Sequence, residues 1–555
     1  MPAAAMLLLP ACGGGDPGGG AREEGGVEEP VYGGSVVFGL EAETSGGWCM
    51  PEGQLAISGI QVARAVYDTL TAPNAKGEYV PFLAESVEPN DDYTQWSITL
   101  RPDVSFHDGS PLTAQVVKNN LDAFLGSYPP REPLLLMFLF KPIEGVEVTG
   151  DRTLSISTSI PWPSLPAALY SGGRAGIVAQ AQLDDAETCD RELIGTGPFM
   201  FDEWTVNDHL SVTRNPDYWQ TDSRGNRLPY LDGIEFRPSV DPITMANSVV
   251  SGEFDMGYSS GAASTAILED AEQAGEINLL SSDAFPEVGY TMLNASRAPF
   301  DNRDARLAAA YAVDREEFNR IRNQDRFQIA SGPFGPGTVG YLKDAGYPGF
   351  DLEAARKHAA AYEAATGKPL TFTYTYQNDP ETTQTAQLLQ DMWGRAGIEV
   401  EIAPIEQATL ISTAITGDYE AISWRNHGGA DPDEQYIWWY GDRLSTSASS
   451  KTRRSTHFST RDDRRPMPSA EVRCTRRSTA SSERRPTTSG RIGRSGRSGH
   501  NSTSVASRAR SCPTEARRSQ ASPRGSPSPV CGGAGSERHR ARRHQLWQAS
   551  PRVDP

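Results

Sequence analysis

LTFTYTYQNDPETTQTAQLLQDMWGRAGIEVEIAPI, residues 370–405, reads as strand, helix and strand in immediate succession. Leu370–Tyr376 alternates apolar and polar positions as a half-buried strand does, and Ile398–Ile405 repeats that period. Between them Thr382–Ala396 has helical spacing and is stopped by Gly397. Upstream, Asp351 caps an alanine-rich helix that ends at Gly367. Helix, strand, helix, strand with short connections implies crossover units on a mostly parallel sheet. The expected fold class is therefore α/β.

Toward the N-terminus the same reading gives a strand at Gly34–Leu40 and a helix through Gln61–Leu70 that carries Tyr67 and Asp68. Tyr93–Leu100 alternates like a half-buried strand. The following SFHDGSPLT predicts a turn at Asp108-Gly109 and a helix opened by Ser110 as cap with Pro111 in its first position. His107 reads as a turn residue packing locally and not as a ligand. No internal repeat is visible.

Toward the C-terminus the chain changes character near Leu444. Residues 1–450 carry 28 Lys and Arg against 64 Asp and Glu, a net of −36, whereas residues 451–555 carry 24 against 7, a net of +17. The last 105 residues hold one leucine, one isoleucine, one phenylalanine and no tyrosine. Such a stretch cannot bury enough apolar surface to offset the entropy of ordering its backbone, and a disordered tail is expected over 445–555. The acidic body of roughly 440 residues has room for two or three domains. Its charge argues against nucleic acid or an anionic membrane face as a main partner. No apolar run reaches the 18 or more residues of a membrane span.

At the other end, Met6–Ala11 is a short apolar run closed by Cys12 and followed by a glycine-rich stretch. Leu9-Pro10-Ala11-Cys12 resembles the lipobox of a bacterial lipoprotein signal, with Cys12 as the lipidated residue and a true start upstream. The run lacks the positive n-region of a signal peptide, which is why a start upstream is expected; a disordered Gly/Ala-rich leader is the alternative. Three further cysteines lie in the basic tail, which leaves Cys49 and Cys189 in the body. They either bridge, in an oxidising compartment, or remain free buried thiols. No CxxC or His/Cys cluster has zinc spacing, so neither metal nor cofactor is expected.

Catalytic signatures are missing too: the body has no GxSxG elbow, HExxH, P-loop or Rossmann glycine fingerprint. What it has is an ordered series of six segments. They are YDTL (67–70), VPFLAESVEPNDDYTQWSITLRPDVSFHDGSPLTA (80–114), IGTGPFMFDEWTVNDHLSVTRNPDYW (194–219), LPYLDGIEFRP (228–238), SGEFDMG (251–257) and APFDNRDARLAAAYAVDREEF (298–318). The series resembles the solute-binding proteins of ABC importers, family 5, the oligopeptide, dipeptide and nickel-binding type, over roughly residues 33–440. Most of these residues read as structural. Gly195 and Gly197 allow a tight backbone path, Phe199 packs in the core, 214–219 forms a turn with a buried aromatic, and Asn302-Arg303-Asp304 opens a helix.

The resemblance implies a periplasmic-binding-protein-like, two-lobe architecture (type II, cluster C) with an extra inserted domain, closing on its ligand by a hinge motion. Carried onto this chain, 1–32 is lipoprotein signal and linker, and 33–58 with 190–285 forms lobe I. The inserted domain is 59–189, a truncated lobe II is 286–444, and the return to lobe I is missing. In oligopeptide-binding relatives the loop matching 423–436, SWRNHGGADPDEQY, usually reads W-x-A-D-Y-x-x-P, its aspartate pairing with the peptide's α-amino group. Here Gly428 or Gly429 falls near that position and Asp431 stands directly before Pro432, which puts the amine anchor in doubt. Arg425, Asn426 and His427 offer a cation and several donors suited to a carboxylate or polar group, and a surface loop with a lone arginine is the alternative. Trp48 and Trp424 either stack on ligand or belong to the core.

The tail has two readings, a natural Arg/Ser-rich arm that binds nucleic acid or anionic lipid, or out-of-frame translation of a GC-rich gene. Shifted codons across 449–463, 474–480, 487–497 and 510–516 permit segments resembling, in order, the family's C-terminal ones. A frameshift between about Tyr440 and Ser445 is the expectation. The expected function is capture of a peptide-like or other small polar solute outside the cytoplasm, in the periplasmic space or its equivalent. The protein would be a monomer held to the outer face of the membrane only by its lipid anchor, delivering solute to an ABC permease with its ATPases. It would perform no chemistry. The rivals are a catalytic or chemosensory protein on the same scaffold, and an anion-binding module working through the tail.

Overall fold

Residues 29–44, 47–282, 286–426 and 431–439 are described by a computed structural model, and by their contacts they all fall in one unit. Cys12, His427, Gly428, Gly429 and the 445–555 tail lie outside the described residues.

Three main sheets organise the body. The first has five strands in the order Met256–Gly257, Ser35–Leu40, Gly233–Pro238, His209–Arg214 and Phe199–Thr205. Ser35–Leu40 runs parallel to Gly233–Pro238, pairing Ser35 with Gly233 and Leu40 with Pro238, and the last two strands continue antiparallel. The second sheet is an antiparallel four, in the order Ala84–Pro89, Gln95–Leu100, Thr153–Thr158 and Ile143–Gly150. Trp96, Ile98 and Leu100 take its buried face, as the period-two pattern requires.

The third sheet orders Val288–Leu293, Ala421–Asn426, Thr371–Gln377 and Glu399–Ile405. Thr371–Gln377 is parallel to both Glu399–Ile405 and Ala421–Asn426, and only Val288–Leu293 runs against its neighbour. Helix Pro380–Arg395 crosses from Thr371–Gln377 to Glu399–Ile405 and helix Gln407–Thr416 from there to Ala421–Asn426, while Leu352–Thr366 leads into the first of these strands. Asp351 and Asp379 open their helices with carboxylates that accept from the Ala354 and Thr382 N–H groups. The α/β expectation for this region holds. Asn302 likewise caps helix Arg303–Tyr311 with Asp304 in its first turn.

Two local expectations need correction. The predicted Gln61–Leu70 helix is Ile57–Val66, and Tyr67 is already extended at φ −116°, ψ 136°. Tyr67 and Asp68 leave the helix because buried partners claim them. Tyr67 Oη exchanges hydrogen bonds with the Gln182 amide, and the Asp68 backbone carbonyl accepts from Ile177 N–H. The predicted helix cap Ser110 belongs instead to a closed turn, its N–H and hydroxyl both donating to Asp108 Oδ1. Pro111 pairs across that turn with Ser105, and the helix starts three residues on at Ala114 under a Thr113 cap.

The packing also joins what the sequence reading separates. One continuous apolar core runs from Leu40 and Phe236 on the first sheet, through Trp48, Val66 and Tyr67, to Trp96, Ile98 and Ile156 on the second. The GTGPF segment is the seam. A Cβ on Gly195 would sit 2.0 Å from the Val66 carbonyl oxygen, and one on Gly197 would sit 2.6 Å from it, so backbone meets backbone there. His107 does sit in a turn, but its ring does not pack locally: it brackets this seam. Its Nδ1 accepts from Gly195 N–H at 3.2 Å and its Nε2 donates to the Gly197 carbonyl at 3.0 Å. Burial lowers its pKa, in keeping with the neutral ring that this pattern requires.

Asp68 lies beside the seam and accepts from Thr196, Tyr218 and Trp219. Its pKa is pushed up to about 6 by burial, which outweighs those three donors. Cys49 and Cys189 are joined by a disulfide that closes a 140-residue separation. Arg131 donates to Cys49 Sγ and to the Asp185 carbonyl beside it. A second core packs Phe300, Phe372, Tyr374 and Trp393 around the third sheet.

Candidate functional site

A third apolar cluster joins the two halves. Leu135 and Phe138, from the segment before the second sheet's Ile143 strand, meet Ile411, Ile415, Trp424 and Ile437 from the third-sheet half. Beside it lies a cavity of about 100 Å³. One wall is Ile57, Trp162 and Arg174; the other is Trp424, Arg425, Asp433, Glu434 and Trp438.

Polar contacts cross the same junction. Trp162 Nε1 donates to Asp433 Oδ2 at 2.6 Å, and Tyr79 Oη donates to Glu434 Oε1 at 2.7 Å. Arg425 reaches Glu41 Oε2 at 2.8 Å, the Ser260 hydroxyl at 3.1 Å and Glu287 at 3.7 Å. Farther out, Arg326 pairs with Glu269. Gly261 opens helix Ala262–Gln273 so closely against Glu381 that a Cβ there would lie 2.3 Å from its carboxylate, which Arg322 also holds at 2.6 Å.

Electrostatics separate the charged groups. Burial raises Glu434 to about 7, with the Tyr79 hydroxyl and the Arg174 charge pulling the other way and Asp431 adding to the rise. Arg174 is lowered to about 10 by burial, against which Glu434 acts. For Arg425 burial again disfavours the charge, yet Glu41 and Glu287 outweigh it and hold the guanidinium above its ordinary value.

The sequence candidates divide accordingly. Trp424 lines the cavity, at 8% exposure, with its ring 4.4 Å from that of Trp438. Arg425 lines it as well, but as a cation already paired with carboxylates and not as the lone arginine of a surface loop. Trp48 is a core residue and no ligand platform: it is 2% exposed and packs edge-on against Trp204 at 5.8 Å. Asp431 caps the short turn Pro432–Gln435 by accepting from Asp433 N–H, a structural duty. Asn426 ends its strand. Sequence reading missed Glu41, Trp162, Arg174, Asp433 and Glu434. Asp433 and Glu434 stood in the quoted loop; the others carry no local signal, because only the fold brings them to the junction. Among the described residues no group of three or more His, Cys, Asp or Glu is arranged to hold a metal ion, and no helix is long and apolar enough to cross a membrane.

Solved structures share this architecture. The oligopeptide-binding protein AppA of Bacillus subtilis, in complex with a nonapeptide, matches at TM-score 0.64 and 21% identity, over 78% of this chain and 90% of that one. DppA of Helicobacter pylori, in complex with the peptide STSA, matches at TM-score 0.64 and 21% identity, over 73% and 81%. The fold is thus the two-lobe, periplasmic-binding-protein-like α/β fold. Residues 78–447 match the family model described as Bacterial extracellular solute-binding proteins, family 5 Middle, and the chain belongs to that family. A glutathione-binding protein, GsiB of Pectobacterium atrosepticum, is 26% identical over 348 residues, 62% of this chain and 64% of its own length. The chain spans 64–65% of the length of such curated relatives.

Proposed function

We propose that this chain is the capture component of an ABC importer, taking a peptide-like or other small polar solute between two lobes and delivering it to a permease with its ATPases. The observation that carries the proposal is the cavity at the junction, walled from one side by Trp162 and Arg174 and from the other by Trp424, Asp433 and Glu434. Lobe I is 33–58 with 190–285, the inserted domain 59–189, and lobe II begins at 286. The sheets support this division, since each main sheet draws its strands from one of the three parts. Trapping is the mechanism: closing the lobes removes the solute from water and forms the cross-junction contacts, so ligand and contacts stabilise one state together. The relatives' names as binding proteins support capture without chemistry.

The protein works outside the cytoplasm as a monomer, with Cys12 as its lipid anchor and no nucleic-acid partner. The basic 445–555 tail is an out-of-frame product, supported by its composition and by the family-like segments in the shifted frame. A thermal-shift screen of peptides, sugars and metal chelates tests the reading. A saturable rise in melting temperature that Trp424→Ala removes is the expected result, and a screen with no saturable hit would sink it. Resequencing the bases for residues 438–446 tests the frame, and a clean in-frame read rejects it.

A further inference from the structure

We infer that the cavity selects a solute bearing a positive charge on a compact apolar body, such as an alkylammonium or guanidinium group, with Asp433 and Glu434 as its selectivity residues. This rests on the capture reading above and names its solute class.

The inference comes from how the charges of the wall are committed. Two guanidinium groups and four carboxylates stand on or immediately behind it: Arg174 and Arg425 against Glu41, Glu287, Asp433 and Glu434. Arg425 is the group best suited to an anionic solute, yet Glu41 at 2.8 Å and Glu287 at 3.7 Å already compensate it, and Ser260 takes another of its donors. A solute carboxylate brought to Arg425 would have to displace Glu41 or be repelled by it. Arg174 is tied to backbone through Nε and the Leu55 carbonyl at 2.8 Å, with Glu434 as its charge partner.

The acidic groups are less fully compensated. Asp433 Oδ2 accepts from the Trp162 indole and Glu434 Oε1 from the Tyr79 hydroxyl. Both donors are neutral, so neither hydrogen bond cancels a carboxylate's charge, although the Arg174 charge partly offsets that of Glu434, and a carboxylate can accept at several lone pairs. The rest of the wall adds to the preference. Trp162, Trp424 and Trp438 line the space, the Trp162 N–H is already taken by Asp433, and an indole face attracts a cation. The volume of about 100 Å³ compares with the ~150 Å³ of an apolar cavity known to admit benzene, so a body of a few carbons fits.

A matched series on the full chain tests the inference: n-butylammonium, n-butanol and butyrate, alike in size and differing in charge, read by tryptophan fluorescence and calorimetry. Butylammonium is expected to bind on the order of tenfold or more tighter than butanol, with butyrate weakest. In the double variant Asp433→Asn, Glu434→Gln the ratio of butylammonium to butanol affinity should fall to about one, with circular dichroism and melting temperature confirming the fold. Equal or tighter binding of butyrate overturns the inference, as does a cation preference that survives the double variant. If none of the three binds while the wider screen finds Trp424-dependent hits, the solute class fails and capture stands. If nothing binds at all, both fail.

Discussion

Arg425 and Glu41 stand 384 residues apart in sequence and 2.8 Å apart in space. Glu41 follows the first strand of the first sheet, and Arg425 is the last residue but one of a strand inside the third, so their ion pair ties one half of the protein to the other. The pair is partly shielded, with side chains 31% and 13% exposed. Glu41→Gln should therefore cost about 1–2 kcal/mol, less than the ~3–5 of breaking a fully buried pair. It should shift the solution ensemble toward a larger radius of gyration by small-angle scattering and raise affinity for butyrate, since it frees a cation. An unchanged radius together with unchanged butyrate affinity would show that the pair fastens nothing.

Covalent restraint is strongest at Cys49–Cys189, whose 140-residue separation leaves a long loop to constrain in the unfolded chain. Removing it by Cys49→Ser with Cys189→Ser should lower unfolding free energy by about 2–5 kcal/mol in urea titrations. The single and double serine variants should then look alike. A double variant as stable as the parent would mean that Arg131 and the surrounding core hold this corner unaided.

The GTGPF seam predicts a sharp contrast between glycines. Gly195→Ala must push a methyl into the Val66 carbonyl, backbone against backbone, and should cost about 3 kcal/mol or more, above the usual range for overpacking. Gly289→Ala, on the strand Val288–Leu293 with nothing within 4 Å of its new Cβ, should change stability by well under 1 kcal/mol. Chemical denaturation of both proteins decides it, and equal stabilities would refute the close approach.

One buried and one half-buried carboxyl group make stability depend on pH. Asp68 and Glu434 have folded pKa values raised by burial to about 6 and about 7, against ~3.9 and ~4.3 in an unfolded chain. The folded state therefore binds the extra protons between those limits, and stability is greatest below about pH 4 for these groups and lost as pH rises through 6 and 7. Asp68→Asn should flatten the lower part of this decline and Glu434→Gln the upper part, measured as melting temperature from pH 4 to 8. A decline unaltered in both variants would assign it elsewhere.

The α/β character of 351–405 was legible because each element there is set by its own period and stops: Asp351 and Gly367 sit where local chemistry demands, whereas the Asp379 cap went unread and the helix was started two residues late. The first helix was read four residues too long at its end because Tyr67 and Leu70 continue an apolar spacing. What stops it is tertiary, a claim on Tyr67 and Asp68 by Gln182, Thr196, Tyr218 and Trp219. The site divides the same way. Trp424 and Arg425 stand out within one loop, whereas the carboxylate that governs Arg425 lies at the far end of the chain. The sequence leaves Trp48 open between ligand platform and core, and only packing shows it enclosed.

The unbroken core from Phe236 to Ile156 has a mechanical consequence. If the lobes close as proposed, the first and second sheets, sharing that core, are expected to move together as one lever. A pair of spectroscopic labels at Val148 and Val206, both exposed and both on that lever, should keep a constant distance through a ligand titration. A pair at Val206 and Leu342 should report the whole stroke.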